Sequence, residues 1–192
     1  MSNFHLTVLW MASAVALWGG FGQRPLSRWG VRAGPLAGIM VLAALFSRLS
    51  LQVGPLRVEA GELVLAAGAV TVLARTGKWP WFIATAICTG LAAGFRALVP
   101  WQTGQASVIP WLAWQALGMG AGLGLVIGAA APAAAAAASA ALAAGVFSVV
   151  WHAPRHIGRT VLTTAFLAAL LAWMIGWALE KVASAREQPP RA

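Results

Sequence analysis

The run Thr160-Val-Leu-Thr-Thr-Ala-Phe-Leu-Ala-Ala-Leu-Leu-Ala-Trp-Met-Ile-Gly-Trp-Ala-Leu179 contains no charged residue and is bounded by Arg159 on one side and Glu180-Lys181 on the other. Wound as a helix at 1.5 Å per residue, a run of this length reaches about 30 Å, the thickness of a bilayer's hydrocarbon core. Six further apolar runs precede it, at 4–21, 35–51, 60–75, 79–99, 108–129 and 132–151. The expectation is an all-α polytopic transmembrane bundle of about seven spans, forming one domain over 1–180 with a polar cytoplasmic tail over 181–192. The 60–75 run is short for a span, so six spans plus a re-entrant segment is the alternative.

Composition agrees. Of 192 residues, 60% are hydrophobic and only 9% are charged, against roughly 25% charged in a soluble domain. The net charge of +9 does not indicate nucleic-acid binding, because the thirteen basic residues are scattered without a stripe or cluster. Basic loops on the cytoplasmic side of a membrane produce the same balance. With the N-terminus outside, the inner side collects Arg24, Arg28, Arg32, Arg75, Lys78, Lys181, Arg186 and Arg191, and the outer side Arg48, Arg57, Arg96, Arg155 and Arg159. Eight against five favours an external N-terminus and a cytoplasmic C-terminus, with the 152–159 loop as the exception. The first run has no basic residue before it and no good cleavage site after it, so it reads as an uncleaved span. Eleven tryptophans suit the two membrane–water interfaces.

The segment Arg48-Leu-Ser-Leu-Gln-Val-Gly-Pro-Leu-Arg-Val-Glu59 breaks the helical pattern. Apolar residues alternate at 49, 51 and 53 and again at 56 and 58, around Gly54-Pro55. Period two about a turn predicts a short hairpin or extended loop. Arg48, Arg57, Glu59 and Glu62 would then gather at one outer rim, where Arg96 can join them by pairing with Glu59 or Glu62. This polar cluster is the candidate site, read either as a vestibule for a ligand or partner or as solvated ion pairs of small worth. Glu62 opens a helix, a position that suits a carboxylate; set deeper, it would become a proton-binding site. Arg96 sits in an apolar run but only a turn from Pro100-Trp101, within snorkelling reach of the interface.

Other polar groups carry less. His152 and His156 have metal-ligand spacing, but Pro154 lies between them and no third ligand is nearby, so no metal is expected. Cys88 is a small apolar filler. Gly120, Gly124 and Gly128, spaced by four, would let another helix approach closely: either the alanine-rich span that follows, or a second copy in a homodimer. The chain has no Asp, and no serine triad, zinc-protease motif or phosphate loop is present, so neither catalysis nor a cofactor is expected.

The order of features resembles the YphA-like membrane proteins of endospore-forming bacteria. The likeness lies in a Trp-rich first span (Leu9-Trp10-Met11 to Trp18), a basic loop from Arg24 to Arg32, the central Pro55-Leu-Arg-Val58, and Arg96-Ala-Leu-Val-Pro-Trp101 closing the fourth span. The alanine-rich 129–145 stretch departs from that pattern. The resemblance implies a bacterial cytoplasmic membrane and a sporulation setting, and no mechanism. On this reading the protein is an accessory or structural membrane protein whose partners are the bilayer and another membrane protein, with no nucleic acid. The alternative is a small-molecule binding or transport subunit, such as the substrate-capturing component of an energy-coupled importer. Arg96, Glu59, Glu62, Trp101 and Gln102 would then line its pocket.

Overall fold

The computed structural model describes residues 3–20, 23–46, 49–53, 56–76, 78–98, 105–151 and 158–186. At its centre stands the alanine-rich helix α7 (Ala130–Trp151). Alanine is the strongest helix former, and its single methyl lets neighbours come close. Ala133, Ala136, Ala137, Ala140 and Ala144 have no exposed surface. Around α7 pack α4 (Ala60–Thr76), α5 (Trp79–Leu98), α6 (Gln105–Ile127) and α8 (Gly158–Arg186). An outer layer of α1 (Asn3–Trp18) and α3 (Ala33–Phe46) joins through α4.

The elements follow the apolar runs closely. One addition is α2 (Gln23–Arg28), within the basic segment expected to be a loop. The six-residue helix is held by its packing: Leu26 is buried against α7-side residues while Arg28 is exposed. The predicted hairpin is present, with β1 (Ser50–Val53) antiparallel to β2 (Leu56–Glu59). Its register pairs Leu51 with Val58 and Val53 with Leu56, and Ser50 with Glu59 and Gln52 with Arg57. The register thus pairs apolar with apolar and polar with polar, as the alternation requires.

The long helices alternate in direction. Gly145 on α7 meets Val161 on α8, while Ala129 and Ala130 meet Gly176 at the other end, so α7 and α8 are antiparallel. The molecule therefore has a hairpin end and a turn end, the latter named for the reversal at Gly128-Ala129. Gly128 takes φ +63° there, a conformation that costs glycine nothing. Its amide donates to Gly124 O at 3.0 Å. Pro132 falls in the first turn of α7, where proline is tolerated, and is fully buried.

The glycine stripe has a different partner from the one adjacency suggests. A Cβ on Gly120 would lie 2.7 Å from Ala168 O, and one on Gly124 2.9 Å from Ile175 Cβ. The stripe thus receives α8, not the neighbouring α7. Gly128 makes no such contact and serves the turn. Polar groups in the core are met locally: Thr85 and Thr89 on α5 donate to the carbonyls of Trp81 and Thr85 at 2.7 and 2.8 Å. Gln115 on α6 donates across to Ala92 O on α5 at 2.9 Å.

Outside, the pattern inverts. Val15 on α1, Leu45 on α3, Leu63 and Val70 on α4, Ile87 and Leu91 on α5, Trp114 and Val126 on α6 and Met174 on α8 are all at least half exposed. By length and composition α7 and α8 can cross a membrane. Shorter apolar helical stretches lie at Ala33–Phe46, Trp79–Gly94 and Ala113–Ile127.

Candidate functional site

At the hairpin end, β2 delivers Glu59 directly into the first turn of α4. The link is fastened by the Ala60 amide, which donates to Leu49 O at 2.9 Å and so extends the hairpin by one rung. Glu59 is half-buried, opposite Ser50. Glu62 follows one turn later, with Oε1 enclosed and no hydrogen-bond partner among the described residues. Its place at the start of α4 sets it on the positive end of the helix dipole. The two carboxylates of the predicted rim are therefore neighbours. Arg48 lies outside the described residues. The backbones of Arg57 and Arg96 are placed on β2 and α5, but their side chains lie outside the described set, as do Trp101, Gln102, His152 and His156. Among the described residues no three metal-ligating side chains come together.

The turn end holds a cluster that sequence reasoning missed. Glu180, near the end of α8, accepts from two donors through Oε1: the Trp29 indole at 3.4 Å and the Ala130 amide at 3.2 Å. The second bond caps α7, meeting one of the amides a helix N-terminus leaves unsatisfied. The Lys78 ammonium stands 5.2 Å from the Trp29 ring and 4.7 Å from the Trp81 ring. The two indoles themselves meet edge to face at 5.1 Å. Each ring gives a cation roughly 0.5–2 kcal/mol, depending on exposure. A second lysine, Lys181, stands 5.5 Å from Trp177. The cluster ties the α2–α3 link, the α4–α5 link, α7 and α8 together. Its one visible trace in the sequence is Lys78-Trp-Pro-Trp81, because Trp29 and Glu180 are 151 residues apart.

Between these ends runs a cleft of about 260 Å³. α1, α3 and α4 form one wall, α8 the other, and α7 the floor from Ala131 to Leu142. Leu17, Leu26 and Leu36 line it at the turn end; Leu65 and Phe166 line it toward the hairpin end. Among the described residues its lining includes no charged side chain and one hydroxyl, that of Ser13. Such a surface offers dispersion and desolvation to an apolar ligand and no acid–base chemistry.

Comparison with models of protein families, with curated proteins and with solved structures finds no match. The chain's own residues therefore carry the functional argument.

Proposed function

We propose that the protein is a non-catalytic integral component of the bacterial cytoplasmic membrane, an accessory or structural protein with seven crossing helices. Its N-terminus lies outside and its C-terminus in the cytoplasm. The observation that carries this reading is the inverted side-chain distribution: alanine and glycine fill the interior, and Leu, Val, Ile and Trp cover the outside of the long helices. A soluble bundle exposing such a surface would aggregate, whereas hydrocarbon solvates it, and small residues give close helix packing without a hydrophobic drive. The direction of α4, from the hairpin end to the turn end along α7, supports a full crossing over a re-entrant loop. The turn end carries Arg28, Arg32, Arg75, Lys78, Lys181 and Arg186, which suits the cytoplasmic face. The hairpin and Glu59–Glu62 are then the outer contact surface.

Cysteine labelling tests the topology directly. In a Cys88→Ala background, Ser50→Cys should react with an impermeant maleimide in intact cells, and Arg28→Cys only after permeabilisation. Equal labelling of both without permeabilisation refutes the orientation. Release of the protein by alkaline carbonate refutes membrane integration altogether. A stoichiometric protein partner, retained in mild detergent and lost on deleting 49–58, is the expected sign of the accessory role. The apolar cleft favours a second reading, a subunit that binds a small apolar molecule; retention of such a molecule without a protein partner would select it.

A further inference from the structure

We infer that the cleft between α1–α3–α4 and α7–α8 holds an acyl chain of an anionic phospholipid of the inner leaflet, whose phosphate rests on Arg28 and Arg32. The inference rests on the membrane reading above. Three observations converge on this occupant. The lining is apolar nearly throughout, and at bilayer depth there is no water to fill it, so hydrocarbon is the available solvent. The floor from Ala131 to Leu142 is about 16 Å long at 1.5 Å per residue. One leaflet contributes half of the ~30 Å hydrocarbon core, so the cleft matches a single leaflet.

The third observation is the charge at one mouth. Leu26 lines the turn end of the cleft, and Arg28 is the last residue of the same short helix, α2. Leu36 lines the same end, and Arg32 stands immediately before the first residue of its helix, α3. Both arginines are exposed, and neither has an ion-pair partner among the described residues. The one carboxylate described at this end, Glu180, is engaged by Trp29 and Ala130. A guanidinium fork matches a phosphate bidentately. A zwitterionic headgroup adds a cation that the arginine pair repels, so the site selects a lipid by net headgroup charge at the cytoplasmic level and receives its tail without selectivity for chain detail.

Native mass spectrometry of the delipidated full chain, titrated with phosphatidylglycerol or phosphatidylcholine of identical chains, reads this out. The expected result is one tightly retained phosphatidylglycerol, preferred on the order of tenfold over phosphatidylcholine. Arg28→Gln/Arg32→Gln should bring that preference to roughly onefold while tail binding persists. Ala138→Phe, which fills the cleft, should remove retention of both lipids. Equal binding of the two lipids by the unaltered chain, or undiminished retention in Ala138→Phe, overturns the proposal. A dimer abolished by Ala138→Phe would give the cleft to a second copy and overturn it equally. Should Ala138→Phe fail to fold, the exposed arginine pair still decides. Carbonate extraction separates the two levels: a protein that stays in the membrane yet shows no headgroup preference defeats this inference alone.

Discussion

The α6–α7–α8 layer and the α1–α3–α4 layer are equally apolar but close in different ways. In the first, two glycines meet backbone, a Cβ on Gly176 lying 2.6 Å from Ala129 C and one on Gly120 2.7 Å from Ala168 O, while Gly124 and Gly145 meet the β-branched side chains of Ile175 and Val161. In the second, the tight glycine, Gly68, meets only side-chain atoms, those of Ile39, with Cγ2 at 2.8 Å. Between the layers lies the open cleft. Backbone against backbone leaves no room to adjust, whereas side chain against glycine can repack. One layer is built for rigidity and the other retains freedom to admit a guest.

The contrast can be broken by substitution, with stability read as the midpoint of detergent-induced unfolding. Gly176→Val carries the largest expected effect, about 3 kcal/mol or more, because the turn at Ala129–Ala130 must move bodily. A midpoint unchanged from the parent protein would show that the α6–α7 turn does not bear on α8. Gly120→Ala should cost about 1–2 kcal/mol, the clash with Ala168 being offset in part by about 1 kcal/mol of helix propensity. Glu180→Ala removes the cap on α7 and the Trp29 bond, for a loss of about 1 kcal/mol. Gly68→Ala is the sharpest control: the propensity gain of about 1 kcal/mol should balance a rotamer change at Ile39, leaving the midpoint within about 0.5 kcal/mol of the parent. If Gly68→Ala proves as damaging as Gly120→Ala, the two layers are equally rigid and the comparison fails.

What the sequence revealed follows the range of the forces involved. The hairpin was legible because alternation at 49, 51, 53, 56 and 58 is a local signal, and the structure pairs Leu51 with Val58 and Val53 with Leu56. The seven long helices were legible for the same reason, since each is a contiguous apolar run. The partner of Gly120 and Gly124 was not, because adjacency favours α7 and only the assembled bundle turns that face to α8. The α2 helix escaped notice because six residues carry no usable periodicity, and Leu26 earns its place through distant contacts. The Trp29–Lys78–Trp81–Glu180 cluster joins four separated segments, so each residue alone reads as an interface marker. At the predicted rim, Glu59 and Glu62 are neighbours, while Arg48 and the side chains of Arg57 and Arg96 lie outside the described residues.

The seating of α8 on the α6 glycines has a consequence in time. Gly124 and Ile175, which meet in the bundle, are separated by 51 positions along the chain. At a synthesis rate of about 5–20 residues per second, that interval lasts roughly 3–10 s. Throughout it the α6–α7 helical hairpin exists with its closest-packing face bare. The nascent chain therefore passes through an intermediate in which the glycine face of α6 is uncovered, until α8 arrives and closes it.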